Sequence, residues 1–540
     1  MTDIAGHWID GAWLESERVA DSYNPATGEV LGRFADGGEA EARAAVGAAR
    51  RAFAHTDWGR DRAVRSRALL ELAEGFEARA PELALMLTRE NGKTLTEATL
   101  EVGAPAATLR HNAAQALTEV GTAAEVAPGQ YFSSMAEPVG VVAIIVPWNA
   151  PVALFIRSLG PALAAGNTVA AKLPGQTALT NALVADVVSK APSLPVGVVN
   201  MFTESRNTGA PFLIESADVD MVSFTGSNQV GRLIAAAGAK TLKRMNLELG
   251  GKTPMIVFDD AALACTLPIL AAAVTTFAGQ NCMAGSRILV QRGIAERVRE
   301  QMRERLTRVV VGPGEEKDTE MGPLIDSAAV ARVDRIVEDS ASYGKAIVRG
   351  GPVTDGPLAS GAFYRPSLIE VEDVDAPIIQ QEIFGPVATF EVFDDENDAI
   401  HRANATEFGL AAGVFTRDVD RPPGEPPDQR RNGLDQHLVR DERRLRRGRL
   451  QAKRPRPPAR RPWSRGVPGD QDLRPSRVTP RVTDTDSQLQ ARPAAAQQPR
   501  NKIRASLDRK TRTPTSTARW QGALDVQTPS PGSPNALPKR

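Results

Sequence analysis

The chain has 540 residues, which is too long for one hydrophobic core and predicts two or three domains. Its charged fraction of 24% and hydrophobic fraction of 42% are ordinary for a soluble globular protein rather than a fibrous or disordered one. The net charge is zero, but residues 421–540 carry 28 Lys and Arg against 11 Asp and Glu, and 18 of the 39 prolines. Such an abrupt change indicates a domain boundary or a disordered tail.

The first 420 residues alternate between helical and strand patterns. Apolar residues at helical spacing predict helices at residues 40–54 and 65–92. Short apolar runs then predict buried strands, at residues 139–147, 167–173, 197–202, 221–226, 253–258 and 287–291. Strands buried on both faces and joined by helices are typical of a parallel sheet, so the predicted fold class is α/β.

One apolar run, VGVVAIIVPWNAPVALFI at residues 139–156, is nearly long enough to span a bilayer. Pro147, Asn149 and Pro151 interrupt its centre, so we expect a buried strand, a turn and the start of a helix instead. The protein is therefore expected to have no membrane partner. No basic-then-apolar signal opens the chain, so export is not expected either.

The two cysteines exclude a disulfide framework and fit a reducing cytoplasm, where we expect the protein to act. A lone cysteine is most often a small buried hydrophobe, and we expect this of Cys265 in the apolar helix AALACTLPILAAAV. Cys282 lies in TTFAGQNCMAGSRILV, where small neighbours allow close approach of a substrate. Five scattered histidines without metal-ligand spacing lead us to expect no metal.

Three further stretches carry polar groups suited to chemistry. VPWNAP ends a strand with Asn149, whose amide can donate to a developing oxyanion. NLELGGKTP places Glu248 before two glycines, where a carboxylate can approach a reaction centre closely. VSFTGSNQVGRLIAAA is a strand, a glycine turn and a helix start, an arrangement that binds phosphate through free N–H groups. Its spacing is not G-x-G-x-x-G, so alone it is a weak signal.

Together with the Cys282 stretch, these segments resemble the aldehyde dehydrogenase superfamily in order and separation. The resemblance runs over about residues 5–421, through WIDGAW, YNPATGEVL, QQEIFGPVATFEV and EFGLAAGVFTRDVDR. It implies an aldehyde dehydrogenase-like fold, with a Rossmann-like cofactor-binding domain over residues 1–248 and an α/β catalytic domain over residues 249–421. It also implies an oligomerisation arm at residues 121–139 and a homodimer or homotetramer.

The resemblance assigns roles to individual residues. Cys282 is the nucleophile that attacks the aldehyde, the Asn149 side chain and the Cys282 N–H stabilise the oxyanion, and Glu248 activates the hydrolytic water. The cofactor is NAD or NADP: Lys172 binds the adenosine ribose, Gly226 and Ser227 the pyrophosphate, and Glu382 the nicotinamide ribose. The remaining cofactor-binding candidates are Val146, Trp148, Gly175, Gly231, Leu249 and Phe384.

Simpler interpretations remain for three of these residues. Lys172 could be a solvated lysine at a strand end, and Glu382 a surface acid before a turn. Trp148 is equally compatible with packing. Cofactor choice is also open, because Gly175 stands where NAD-preferring members often carry Glu, and Arg206 adds positive charge near the same groove.

The basic stretch HLVRDERRLRRGRLQAKRPRPPARR at residues 437–461 has the composition of a nucleic-acid arm. It lacks regularly spaced aromatic residues and a recognition helix, so no nucleic-acid partner is expected. Family members continue instead with a Gly-Thr-Val-Trp-Ile-Asn strand, a Gly-Gly-aromatic-Lys-x-Ser-Gly loop and a segment with Glu-Thr-Lys that pairs subunits.

The codons for this part of the chain permit all three missing segments in one shifted frame. Read one base later, the possible codons for residues 431–437, 448–455 and 467–473 permit these segments in family order. We therefore predict a +1 frame change between about Arg421 and Arg431, with translation past the original stop beyond about Leu473. Residues 422–540 are then an aberrant Pro- and Arg-rich tail, predicted to be unstructured, extended and unpacked.

Three functional classes follow from these patterns. The first is oxidation of a small aliphatic or aromatic aldehyde to the acid by NAD or NADP. The second is acyl transfer from Cys282 to coenzyme A, against which the retained Glu248 argues, because it favours water as the acceptor. The third is a catalytically inactive, frame-shifted relative that acts only as a binding or structural protein.

Overall fold

The computed structural model describes residues 4–118 and 121–418. The predicted tail at residues 422–540 lies outside these described residues. The helices, numbered in chain order, are α1 Glu39–His55, α2 Arg62–Asn91, α3 Leu95–Thr118, α4 Pro151–Ala164, α5 Ala178–Ser189, α6 Gly209–Glu215, α7 Asn228–Ala239, α8 Leu263–Thr275, α9 Ala295–Thr307, α10 Ser327–Asp339, α11 Pro377–Gln380 and α12 Glu396–Ala403.

The strands include all six that the apolar runs predict, together with short N-terminal and late strands. In chain order they are β1 Ile4–Ala5, β2 His7–Ile9, β3 Ala12–Leu14, β4 Val19–Tyr23, β5 Val30–Ala35, β6 Thr122–Ala127, β7 Gln130–Ser134, β8 Val141–Ile145, β9 Thr168–Pro174, β10 Val199–Glu204, β11 Met221–Gly226, β12 Arg244–Leu249, β13 Pro254–Val257, β14 Arg287–Gln291, β15 Lys345–Val348, β16 Gly351–Pro352, β17 Tyr364–Arg365, β18 Ser367–Glu370, β19 Val387–Phe393 and β20 Gly413–Phe415.

A seven-stranded sheet in the order β12-β11-β8-β9-β10-β2-β3 forms the centre of the first half of the chain. Strands β8 to β12 are parallel within it, and β2 joins β10 antiparallel. Side chains that alternate along a strand point to opposite faces. On β8, Val142 and Ile144 belong to the hydrophobic core of α2 to α5, whereas Val141 and Ala143 belong to the core of α1 and α6. The predicted α/β class with a Rossmann-like sheet is confirmed.

A six-stranded sheet in the order β15-β18-β19-β14-β13-β20 forms the second half. All its neighbouring pairs are parallel except β15 with β18. On β14, Ile288 and Val290 pack with α8 and α9, and Leu289 packs on the opposite face near α12. The first sheet ends at Leu249 and the second starts at Pro254. The predicted domain boundary after residue 248 falls at this change of sheet and stays a prediction.

The segment expected to be an oligomerisation arm, residues 121–139, contains an antiparallel pair of strands, β6 and β7. The side chains of β7 are exposed along its whole length, and Tyr131 is 80% exposed. Large exposed apolar side chains often mark protein contacts. The role of this segment in assembly stays a prediction.

The apolar run at residues 139–156 forms β8, a turn and the first part of α4, as predicted. Its interrupted centre is the turn between Val146 and Ala150, which leads from the carboxyl end of β8 into α4. None of the helices in residues 4–118 and 121–418 has both the length and the apolar composition that a membrane crossing requires.

Cys265 corrects one expectation. It lies in helix α8, as predicted, but its side chain is exposed rather than buried. The buried face of α8 is formed instead by Thr266, Leu270, Ala271 and Val274. Because α8 is apolar on most sides, its sequence did not show which face meets the core.

Candidate active site

Cys282 lies in a buried loop after a left-handed turn. It is 2% exposed, and Phe277, Ala278 and Gly279 before it have φ values of 54°, 52° and 68°. Residues other than glycine adopt this conformation at a cost of roughly 1–2 kcal/mol each. Gln280 holds the end of the turn, because its Oε1 accepts the N–H of Ile325 at 2.9 Å. The strained turn therefore depends on contacts from neighbouring elements.

Those contacts come from the start of α3. Glu97 Oε1 accepts the Phe277 N–H at 2.7 Å, and the Lys93 ammonium lies 4.1 Å from the centre of the Phe277 ring. Lys93 also pairs with Glu101, with both side chains fully buried, and donates to Asn149 O at 2.6 Å. One buried lysine thus contacts both the turn before Cys282 and the turn that carries Asn149.

Asn149 is directed toward the Cys282 loop, as the oxyanion role requires. Its Nδ2 donates to Gln280 O at 3.0 Å, two residues before Cys282. The amide nitrogen carries two hydrogens, so this bond leaves the second one for a substrate oxygen. Asn91 Nδ2 donates to Trp148 O at 2.8 Å and braces the same turn.

Glu248 lies near the end of β12, and the two glycines that follow this strand bring three segments of the site together. A Cβ on Gly250 would lie 2.3 Å from Glu382 Oε2, and one on Gly251 would lie 2.2 Å from Cys282 O. Only glycine permits these approaches. The Gly251 N–H donates to Glu382 Oε1 at 3.3 Å. The Gly-Gly pair therefore places the Glu248 strand, the Cys282 loop and Glu382 in direct contact.

Trp148 and Phe384 pack in the same hydrophobic cluster as Cys282. Their rings meet edge to face with centroids 5.7 Å apart, and both belong to the same small hydrophobic cluster as Cys282 and Ile325. Phe384 has a φ of 60°, and Arg332 braces it by donating to Ile383 O and Phe384 O at 2.5 and 3.2 Å. Trp148 therefore packs in this structure, and its contact with a cofactor stays a prediction.

The charge of Glu382 is sensitive to its surroundings. Burial raises the pKa of Glu382 to about 7, against the lowering effect of the Gly251 N–H and of the Lys252 charge. Burial, and after it the charge of Arg287, lowers the pKa of Lys252 to about 7 as well. Glu382 is half-buried near the Cys282 loop, so it is not a fully exposed surface acid.

The predicted pyrophosphate turn lies beside Glu248. In the parallel register of β11 and β12, Thr225 is opposite Glu248 and Gly226 is opposite Leu249. Ser227 begins α7 and accepts the Val230 N–H at 3.0 Å. A Cβ on Gly231 would lie 2.5 Å from Leu249 Cδ2. Four of the cofactor candidates thus meet at the N-terminus of a 12-residue helix, where an anion is stabilised by free N–H groups.

Three predicted cofactor-binding residues meet at the end of β9: Val146, Lys172 and Gly175. The Val146 N–H donates to Lys172 O at 3.3 Å. Burial lowers the pKa of Lys172, against the raising effect of the Glu204 and Asp36 carboxylates. A Cβ on Gly175 would lie 2.8 Å from Ser205 Cα, so the neighbouring loop occupies the space that a larger residue would need.

Several residues in contact with this site were not found from the sequence. Lys93 lies just before α3, and Glu97 and Glu101 lie in its first two turns. All three are far along the chain from the motifs they support, and no spacing rule connects them. Lys252 belongs to a recognised motif, yet its buried position was not readable from it. The missed residues are Lys93, Glu97, Glu101, Arg157, Lys252, Gln280 and Arg332.

The hydrogen-bond donors and the positive charge of this arrangement suit a bound dinucleotide. A helix N-terminus suited to phosphate lies at the carboxyl end of β11, and Lys172 lies near the carboxyl end of β9 in the same parallel sheet, where such sheets bind ligands. Asn149 follows the carboxyl end of β8, which lies between those two strands, and it donates to the loop that carries the buried Cys282 thiol.

Comparison with known proteins gives the family directly. Residues 13–422 match the model of the aldehyde dehydrogenase family. The chain is 36% identical to a mitochondrial succinate-semialdehyde dehydrogenase of Oryza sativa subsp. japonica, over 77% of this chain and 78% of the relative. It is 35% identical to the NADP(+) succinate-semialdehyde dehydrogenase GabD of Escherichia coli (strain K12), over 76% and 85%. A solved structure of betaine aldehyde dehydrogenase from Staphylococcus aureus in complex with NAD+ superposes with a TM-score of 0.75 at 32% identity, over 77% of this chain and 86% of that chain.

Proposed function

The chain belongs to the aldehyde dehydrogenase family, whose members are NAD(P)-dependent oxidoreductases, and on this premise we propose that Cys282, Asn149 and Glu248 perform the oxidation of an aldehyde to its carboxylic acid. The observation that supports this assignment most strongly is the close approach of Gly251 to the backbone oxygen of Cys282. It joins the strand of Glu248 to the Cys282 loop, toward which Asn149 donates from a third element.

The proposed chemistry forms two successive covalent intermediates on Cys282, a thiohemiacetal and a thioester. The thiolate attacks the carbonyl carbon, and the resulting oxyanion accepts hydrogen bonds from the Asn149 amide and the Cys282 N–H. A bound NAD or NADP supplies the hydride acceptor. Loss of hydride from the thiohemiacetal carbon leaves a thioester. Glu248 then takes a proton from water, which attacks the thioester and releases the acid and the thiol.

The residues proposed to hold the cofactor are those along the strand ends. The N-terminus of α7, with Gly226 and Ser227, would hold the pyrophosphate, Lys172 the adenosine ribose and Glu382 the nicotinamide ribose. Ser227 already caps the helix through its side chain, so its contribution to phosphate would come from the backbone. The default substrate remains a small aliphatic or aromatic aldehyde.

Glu248→Gln tests the second half of this chemistry. We expect the first hydride transfer to persist and thioester hydrolysis to slow by about a hundredfold or more, because a neutral amide cannot accept the proton of water. Rapid mixing with aldehyde and cofactor should therefore give a burst of reduced cofactor followed by slow turnover. Steady turnover at the wild-type rate without a burst would rule out Glu248 as the base.

Cofactor choice depends on charge around the adenosine ribose. Position 175 lacks the carboxylate that would repel a 2′-phosphate, and Arg206 is exposed two residues after Glu204. The carboxylates already near Lys172 are engaged: Asp36 pairs with Arg18, and Glu204 Oε1 accepts the Thr208 and Gly209 N–H groups at 2.5 and 2.8 Å. We propose that the chain accepts both cofactors, and that Arg206 favours NADP.

Arg206→Ala is the test of that preference. We expect the Kd for NADP to rise by about tenfold, because one charge-assisted contact to the phosphate is lost, while the Kd for NAD stays within about twofold. Fluorescence titration of both cofactors measures this, with Arg303→Ala on α9 as the matched surface control. Equal loss for both cofactors would contradict the proposal. Gly175→Glu is a poorer probe, since its side chain would collide with the Ser205 backbone.

The assembly is proposed to be a homodimer or homotetramer. The exposed pair of strands β6 and β7, with Tyr131 and Phe132 at 80% and 58% exposure, is the segment proposed to contact a second subunit. Within residues 4–118 and 121–418 this pair is joined by no further strand, and its free edges and apolar side chains support that role.

A further inference from the structure

Arg157 is the cation that lies next to the proposed general base. It lies on α4, eight residues after Asn149, and its Nη1 is 3.8 Å from Glu248 Oε2. Its Nη2 donates to Thr225 Oγ1 at 3.1 Å, and Thr225 is the residue opposite Glu248 in the β11–β12 register. The guanidinium is therefore fixed to the strand that flanks the carboxylate.

The same turn of α4 is anchored a second time. Ser223 Oγ donates to Ser158 Oγ at 3.0 Å, one residue along from Arg157 and two residues before Thr225. Helix α4 begins directly after the turn that carries Asn149. These contacts connect the element that bears the oxyanion donor to the strand pair that bears the base.

The distance between the Arg157 guanidinium and the Glu248 carboxylate leaves Glu248 able to act as a base. A guanidinium at hydrogen-bonding distance would occupy the carboxylate lone pairs. At 3.8 Å it attracts the carboxylate and leaves those lone pairs for a water molecule. Within residues 4–118 and 121–418, Arg157 is the ion-pair partner of the Glu248 side chain, which is 26% exposed.

We propose that Arg157 is a positioning residue for Glu248: it restrains the carboxylate near the Cys282 thioester so that thioester hydrolysis proceeds at its full rate. This inference rests on the proposed role of Glu248 as the base. It adds a residue outside the motifs and assigns it to one step of the reaction.

A double-mutant cycle tests the inference. Arg157→Gln, Glu248→Gln and the double variant are made in the full chain and in its frame-restored form, and rapid mixing separates hydride transfer from hydrolysis. We expect Arg157→Gln to slow hydrolysis about three- to fivefold with hydride transfer unchanged, as suits a partly exposed ion pair. In the Glu248→Gln background the same change should have no further effect.

Two controls accompany the cycle. Arg157→Lys keeps the charge and should restore most of the hydrolysis rate. Arg89→Gln removes an arginine of similar exposure from an ion pair with Glu315, and it should leave both steps unchanged.

Each failure has a distinct signature. Unchanged hydrolysis in Arg157→Gln, or an equal loss in both Glu248 backgrounds, would overturn the positioning role alone. A rise in KM confined to aldehydes that carry a carboxylate, with hydrolysis unchanged, would also overturn it, because Arg157 would then contact substrate. If Glu248→Gln itself leaves hydrolysis unchanged, the proposed function fails and the role of Arg157 fails with it.

Discussion

Cys282→Ala should abolish aldehyde oxidation while the protein still folds and binds its cofactor. Alanine has no nucleophile to form the thiohemiacetal, so we expect kcat to fall by at least about a thousandfold. The loss of one buried sulfur should cost the fold only about 1 kcal/mol, since the site is small and enclosed. Steady-state assays of the frame-restored enzyme, with thermal unfolding and cofactor titration alongside, measure these effects.

The chain provides a matched control for that experiment. Cys265 is an exposed cysteine on α8, so Cys265→Ala should leave both activity and the free energy of unfolding unchanged. A thiol reagent should inactivate the Cys265→Ala enzyme and have no effect on the residual properties of the Cys282→Ala enzyme. Normal turnover by Cys282→Ala would remove the basis for the whole proposed reaction.

The elements predicted from periodicity are those with strong local patterns. The helix predicted at residues 65–92 is found at Arg62–Asn91, where Asp61 caps its start and Gly92, with a φ of 85°, ends it. The run at residues 139–147 became the fully buried β8. Such patterns identify an element because its own residues determine both its period and its end.

The contacts between distant elements were not predictable in the same way. Lys93 contacts Asn149 and Phe277 because the turns that carry these two residues pack beside the start of α3. Nothing in ENGKTLTEA indicates those partners. Arg157 reads as a polar residue inside an apolar helix until the β11–β12 register places Thr225 and Glu248 next to it. The expectation that Cys265 is buried was wrong for a related reason, because its helix is apolar around most of its circumference.

The motif residues occupy an intermediate position. Glu248, Cys282 and Glu382 were recognisable by their resemblance to a family, and the structure brings the segments that carry them together through Gly250 and Gly251. The reason those glycines are needed is steric and appears only in three dimensions. Gly175 illustrates the converse: NAD-preferring members often carry Glu at this position, whereas in this chain the Ser205 backbone occupies the space that a larger side chain would need.

Restoring the reading frame after about residue 421 is expected to have the second large effect, on the solubility and activity of the protein. The family match ends at residue 422, next to the position where the codons indicate a +1 frame change. In the described part of the second sheet, β20 pairs with β13 on one side and stands at the sheet edge. In the restored frame, the Gly-Thr-Val-Trp-Ile-Asn segment would supply a further strand of the catalytic domain, and the later segments would supply the loop and the subunit contact.

The sequence of residues 422–540 cannot replace those segments. It is rich in Arg and Pro and poor in apolar residues, so it cannot fill a core. Proline has no N–H to donate to a central ladder, so the tail cannot serve as a buried strand. The catalytic half of the 540-residue protein is therefore expected to expose apolar surface and unpaired strand edges, which promote aggregation.

Expressing the gene for the 540-residue chain and the frame-restored gene side by side tests the frame-change hypothesis. We expect the 540-residue protein to be poorly soluble and at least about a hundredfold less active than the frame-restored protein, which should be a soluble homodimer or homotetramer. Solubility, size-exclusion chromatography and NAD(P)-dependent aldehyde oxidation are the measurements, and resequencing the gene around the Arg421 codon is the accompanying check. If the 540-residue chain instead forms a soluble oligomer of comparable activity, the frame-change hypothesis fails, and the basic tail must have a function of its own that the enzyme tolerates.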